Sequence, residues 1–289
     1  ATVFAGKKFG IPVVGTMAHS FVQSYPTEYE AFVAYAKNYP NSCTVLLDTY
    51  DTINSGLQNA IRLEKEYLIP NGYHLKGVRI DSGDIAYLSS QIRQILDEND
   101  MKDTMIVASN SLDEYIIKSL IEQGAQIDSF GVGENLIVSK SSPVFGGVYK
   151  LTSILDGDKI IPKIKLSENV EKMTNPGYKD LYRIYDSKTH MMRADVMVEH
   201  GEVIDSKEDF TIYHPNNMWQ YKTFYKDEYY VEELLQPIFI KGCLVYDVPN
   251  IDQIRDYCQK QLERLWPQYK RFEYPHFWFC VLAIVYNRC

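Results

Sequence analysis

The residues of this chain that could do chemistry stand where short apolar runs break. Val13-Val14 gives way to Gly15-Thr16-Met17-Ala18-His19-Ser20. Val45-Leu46-Leu47 ends in Asp48, Gly77-Val78 in Arg79-Ile80-Asp81-Ser82-Gly83-Asp84, Ile106-Val107-Ala108 in Ser109-Asn110, and Ser129-Phe130 in Gly131-Val132-Gly133-Glu134. A histidine in such a place is either a satisfied structural residue or a nucleophile. An acid such as Asp48 at a neighbouring strand end could accept a hydrogen bond from one ring nitrogen of His19, fixing the tautomer and leaving the other nitrogen nucleophilic. If a strand ends near Val78, Arg79 and Asp81 point the same way by the period-two rule. A guanidinium beside a carboxylate can clamp a substrate carboxylate while the acid holds a diol; a structural ion pair gives the same spacing.

A phosphate needs backbone amides and hydroxyls at close approach, and Phe130-Gly131-Val132-Gly133, Ser139-Lys140-Ser141-Ser142 and Gly146-Gly147 supply both. A tight turn followed by a loop has the same composition. The pattern is neither a Walker A loop nor a dinucleotide fingerprint, which need a Gly-Lys-Ser/Thr or a third glycine. His74, His190, His200, His214 and His276 stand in loops, turns or beside prolines and read as structural or solvent-exposed.

Elements must position these residues. Helical periodicity runs over Thr27 to Asn38, Asp51 to Tyr67, Ile85 to Leu96 and Leu112 to Gln123. Asp51 or Thr52 caps the second, and Ser111 caps the fourth with Glu114 completing a capping box. Strand and helix in alternation predict a parallel sheet. A doubly wound sheet and a barrel share that pattern, but chemistry after five successive strands favours a barrel, with His19 at the centre of one pocket. Beyond Gly146 short alternating runs take over, separated by Asp156-Gly157-Asp158, Asn175-Pro176-Gly177 and Asp186-Ser187-Lys188. An amphipathic helix follows over Ile251 to Leu265. The predicted fold is α/β: a partial, irregular (β/α) TIM-like barrel over 1–147, then an antiparallel, hairpin-rich α+β region over 148–289 whose tail, 277–289, is atypical.

A net charge of -8 argues against nucleic acid and anionic membranes as partners, but not against small phosphorylated substrates held by local donors. The five cysteines are scattered, without zinc spacing, and suit a reducing cytoplasm. No apolar run is long enough to span a bilayer. The chain opens on Ala1-Thr2-Val3-Phe4, without methionine or a signal pattern, and is expected to enter a buried element at once, part-way through a longer protein.

Six motifs in order then carry a resemblance from Ala1 to about His276: Gly15-Thr16-Met17-Ala18-His19-Ser20, Leu47-Asp48-Thr49-Tyr50-Asp51, Gly77-Val78-Arg79-Ile80-Asp81-Ser82-Gly83-Asp84, Gly131-Val132-Gly133, Gly146-Gly147-Val148-Tyr149-Lys150-Leu151 and Lys165-Leu166-Ser167. Together they closely resemble the nicotinate phosphoribosyltransferase family. The resemblance implies an irregular barrel of the type II phosphoribosyltransferases. It implies synthesis of nicotinate mononucleotide and diphosphate from nicotinate and phosphoribosyl diphosphate, coupled to ATP hydrolysis, with Mg²⁺. It places a transient phosphohistidine on His19, oriented by Asp48. Nicotinate falls to Thr16 and Arg79, the ribose to Asp81, and the phosphoribosyl phosphate to the amides near Gly131 to Gly133; Ser109, Asn110, Gly146 and Gly147 complete the substrate-binding set. A cytoplasmic homodimer is implied for the full-length protein.

The chain departs from the family pattern in three places. Glu134 stands where many members have threonine, so its carboxylate either points away or binds Mg²⁺. The family has a sizeable region ahead of Ala1, which carries barrel strands and an aromatic residue for nicotinate. After Tyr274-Pro275-His276 comes the apolar run Phe277 to Tyr286 in place of a polar helix, an expected exposed patch prone to aggregation. Two alternatives follow: a catalytically incomplete chain that acts only with a partner, and a nicotinamide or quinolinate phosphoribosyltransferase relative.

Overall fold

A computed structural model describes residues 2–144, 146–147, 149–166, 168, 174–214, 217–276, 278 and 280–282. The chain divides into two compact units, Ala1–Gly146 and Gly147–Cys289.

The first unit begins with α1 (Thr2–Phe9) and a short α2 (His19–Gln23), and no helix or strand forms between them. The expected first strand at Val13-Val14 is therefore absent, and Val14 is 93% exposed. Its apolar run is two residues long, Pro12 has no amide to donate, and Gly10 turns the chain at φ 70°. Nor is the start buried: Val3 and Phe4 on α1 are both exposed.

From Thr27 onward the predicted alternation holds. α3 (Glu28–Asn38) is set by a capping box in which the Thr27 side chain accepts from the Glu30 amide and Glu30 accepts from the Thr27 amide. β1 (Thr44–Leu46) leads through Asp51, which caps the following turn at the amides of Ile53 and Asn54. That turn is π-helical over Thr52–Leu57, continues as α4 (Gln58–Leu63) and widens again over Glu64–Leu68. Then come β2 (Gly77–Ile80), α5 (Ile85–Glu98) capped by Asp84, β3 (Met105–Ala108), α6 (Glu114–Glu122), β4 (Ser129–Phe130) and α7 (Glu134–Ile137). Asp113, not Ser111, caps α6, accepting from the amides of Tyr115 and Ile116. Ser111 has φ 49°, whereas a capping residue takes an extended backbone.

The four strands form one parallel sheet in the order β1-β2-β3-β4. Val45, Leu46, Val78, Ile80, Ile106 and Ala108 are wholly buried, as expected of strands covered on both faces. The helix after β1 lies against the strand end without any spacer. A Cβ on Gly56 would stand 1.9 Å from the Leu47 carbonyl oxygen and 2.7 Å from its Cα.

The second unit is antiparallel for the most part. β5 (Ser153–Asp156) and β6 (Lys159–Pro162) close a hairpin whose Asp156↔Lys159 pair leaves Gly157-Asp158 as the loop, with Gly157 at φ 60°. β7 (Lys179–Asp186), β8 (Met192–Glu199), β9 (Phe210–His214), β10 (Asn217–Phe224) and β11 (Tyr229–Glu233) follow, then the small pair β12 (Phe239–Ile240) and β13 (Cys243–Leu244). α8 (Ile251–Glu263) starts at an Asn250–Gln253 capping box, and β14 (Cys280–Leu282) completes a sheet in the order β11-β7-β8-β14. Arg183 on β7 and Asp195 on β8 form a two-point ion pair at 2.7 and 3.0 Å, and the Trp278 indole donates to the same carboxylate at 2.9 Å. Part of the tail expected to be an exposed patch is thus built into the fold, since Trp278 is half-buried and β14 pairs in parallel with β8. Residues 277, 279 and 283–289, with Val148 and Ser167 of two motifs, lie outside the described residues.

Two outcomes follow. Gly56→Ala forces the helix off the end of β1 and should lower unfolding free energy by roughly 2–3 kcal/mol, read from denaturant midpoints. Burial, with Glu64 nearby, pushes the Cys43 thiol up to about 12. At mildly alkaline pH a thiol reagent should therefore label exposed Cys243 and Cys258 and spare Cys43 until denaturant is added, as peptide mass spectrometry will show.

Candidate active site

The ends of β1, β2 and β3 lie side by side, so the residues just beyond them are brought together by register alone. The Leu47 amide donates to the Arg79 carbonyl and the Ser109 amide to the Ile80 carbonyl, each at 3.0 Å, which carries the ladder one step past the strands. Asp48 then faces the Asp81-Ser82 turn. One of its oxygens accepts from the Asp81 amide at 3.1 Å and from the Ser82 hydroxyl.

Asp81 occupies the middle of the cluster. Its Oδ1 accepts from the Ser109 hydroxyl. Its Oδ2 lies 3.6 Å from His19 Nε2 and 3.9 Å from Arg79 Nη2. Arg79 in turn donates from Nη1 to Thr16 Oγ1 at 2.6 Å. The predicted association of Thr16, His19, Arg79, Asp81 and Ser109 is therefore present, although the segment carrying Thr16 is not a strand. Two buried polar atoms in this cluster have no hydrogen-bond partner among the described residues, Arg79 Nε and Asp48 Oδ1. Buried donors and acceptors are almost always satisfied, so the two mark this cluster as an unusual polar centre.

One expected pairing is corrected. His19 Nδ1 lies 3.1 Å from the Thr49 hydroxyl, and the other nitrogen faces Asp81, so the contacts of the ring are with Thr49 and Asp81 and not with Asp48. Asp48 is taken up by the Asp81-Ser82 turn. Thr49 and Ser82 are the residues that reading the sequence missed as site residues. Each directly follows a singled-out acid, and that adjacency was the available signal.

The glycine-rich segment is only partly as expected. The Gly131 amide is already committed to the Ala108 carbonyl at 2.8 Å, so it has no proton to offer a phosphate. A Cβ there would touch Ser109 Cβ at 3.4 Å, which makes Gly131 a packing residue under the Asp81 tether. Gly133 precedes α7. Asn110 and Ser111 take left-handed backbones, φ 89° and 49°, and Asn135 on α7 donates to the carbonyls of Ser111 and Leu112. None of the hydrogen bonds described above joins Asn110, Gly133, Gly146 or Gly147 to the His19 cluster. Glu134 is exposed, and among the described residues no three His, Cys, Asp or Glu side chains gather as a metal site. Glu134 thus stands as a single exposed carboxylate, which could at most supply one ligand to a Mg²⁺ carried by a phosphorylated substrate.

Comparison with known proteins extends this picture. Residues 178–282 match the nicotinate phosphoribosyltransferase C-terminal domain, and residues 1–183 match the nicotinate phosphoribosyltransferase (NAPRTase) family. The nicotinate phosphoribosyltransferase of Bacillus subtilis (strain 168) is 42% identical over 275 residues, covering 95% of this chain and 55% of the relative. That of Dictyostelium discoideum is 33% identical over 318 residues, covering 92% and 53%. The chain spans about half the length of the curated relatives it matches. The crystal structure of human nicotinic acid phosphoribosyltransferase superposes with a TM-score of 0.77 at 26% identity, over 98% of this chain and 62% of that one. No helix among the described residues is long and apolar enough to cross a membrane. With the family match covering 183 of the 289 residues, and that match holding every member of the His19 cluster, the chain belongs to the nicotinate phosphoribosyltransferase family.

Proposed function

We propose that this chain carries the catalytic site of an enzyme that converts nicotinate, 5-phosphoribosyl 1-diphosphate, ATP and water to nicotinate mononucleotide, diphosphate, ADP and phosphate, in NAD biosynthesis. The observation that carries this reading is the partly exposed guanidinium of Arg79, held by Thr16 beside the His19–Asp81 pair. A guanidinium fixed in place by Thr16, with its planar fork not fully committed, is suited to the carboxylate of nicotinate. That feature favours nicotinate over its uncharged amide.

Glycosyl transfer develops positive charge on the ribose carbon as the diphosphate departs, so a fixed carboxylate near the ribose stabilises the transition state. Asp81, locked by Ser109, is the carboxylate assigned to that position. His19 is assigned the phosphoryl-transfer step: a ring nitrogen attacks the γ-phosphorus of ATP, the bond to ADP breaks, and water later releases phosphate from the nitrogen. The phosphoribosyl phosphate is assigned to the backbone amides around Gly133. Mg²⁺ enters as a companion of the diphosphate substrate.

The sheet supports a section of a barrel. A doubly wound sheet reverses its strand order at a switch point, whereas β1-β2-β3-β4 runs in one direction throughout. Completion of the barrel, homodimer assembly and a cytoplasmic setting belong to the same proposal.

Incubation with ATP labelled in its γ-phosphate should place acid-labile, alkali-stable phosphate on the chain and leave His19→Ala unlabelled. Nicotinate mononucleotide formed by His19→Ala with undiminished ATP consumption would overturn the assignment. Arg79→Lys keeps the charge but loses the planar fork. It should raise the nicotinate Kd by at least ~10-fold in calorimetry and change nicotinamide binding much less.

A further inference from the structure

We propose that Thr49 is a positioning residue that fixes the plane and tautomer of the His19 ring; its catalytic consequence rests on the reading of His19 as the phosphoryl acceptor. His19 opens α2, a helix of five residues whose N-cap, Ala18, offers no side-chain cap. The segment before it is irregular, so its own element anchors the ring poorly. The anchoring contacts come from other loops. Thr49 Oγ1 lies 3.1 Å from Nδ1 on one edge of the ring, and Asp81 Oδ2 lies 3.6 Å from Nε2 on the other.

These two groups differ in what they can do. An ionised carboxylate only accepts, so Asp81 favours the ring proton on Nε2. Nδ1 then carries the lone pair, and the Thr49 hydroxyl, which can donate or accept, donates to it. With one contact on each edge, rotation about the Cβ–Cγ bond breaks both at once. A hydroxyl is also neutral and can turn its proton away from Nδ1, freeing that lone pair when the phosphoryl group arrives, whereas a second carboxylate there would repel the group. Asp48, next to Thr49 in sequence, is turned instead to the Asp81 amide and the Ser82 hydroxyl, from both of which one of its oxygens accepts.

The test compares the chain with Thr49→Val, which keeps the shape and removes the hydroxyl, and with Thr49→Ser, which restores it. Long-range proton–nitrogen NMR of the ¹⁵N-labelled histidines reads tautomer and hydrogen bonding without any substrate. The wild type and Thr49→Ser should show His19 as one tautomer with a hydrogen-bonded Nδ1. Thr49→Val should move the Nδ1 resonance towards that of an unbonded ring nitrogen and populate both tautomers, while amide resonances of the second unit stay in place. A His19 spectrum unaltered in Thr49→Val overturns the proposal. Phosphate labelling from ATP should fall ~10- to 100-fold in Thr49→Val and recover in Thr49→Ser. If the wild type takes no label while the ring still responds to Thr49→Val, the phosphohistidine reading fails and the positioning role stands.

Discussion

The tie between Asp48 and the Asp81-Ser82 turn is the constraint on which the site depends. Two neighbouring strands end at slightly different heights, and without a cross-link their loops would move independently. Asp48 joins them by accepting from a backbone amide and a hydroxyl of the next loop, so the position of Asp81 is set by the sheet itself. Everything else is arranged around Asp81: Arg79 below it on the strand, Ser109 from β3, and His19 from α2.

A simple rule runs through the cluster. Each ionisable side chain has one hydroxyl partner drawn from its own or a different loop, with Thr16 on Arg79, Thr49 on His19, Ser82 on Asp48 and Ser109 on Asp81. Hydroxyl groups suit this use because they donate to carboxylates, accept from guanidinium and do either for imidazole. They also add no charge to the cluster.

The helices and hairpins announced themselves because their signals are local. The Thr27–Glu30 box and the Asp156-Gly157-Asp158 turn lie within a few residues of what they determine. So does the Asn250–Gln253 box at the start of α8. The misreadings involve partners far apart. Val13-Val14 resembles a strand by composition, but a strand needs a neighbour to pair with. Ser111 resembles a cap by type, yet its left-handed backbone is the exit from the loop that delivers Ser109. The pairing of His19 with Thr49 in place of Asp48 follows from the turn after Leu46, beyond which strand alternation no longer predicts where side chains point. The motif order identified which loops meet, while hydrogen bonding between loops decided which atoms do.

Gly56 sits inside a helix, apart from any residue of the cluster, yet its neighbour is the backbone of Leu47, the residue just before Asp48 and Thr49. Because the obstacle is main chain, no side chain can be trimmed elsewhere to make room for a methyl group. A substitution there has no single-site suppressor, and its effect passes directly to the two residues that fix Asp81 and His19. In a saturation-mutagenesis experiment scored by function, this inconspicuous helical position would be grouped with the residues of the cluster.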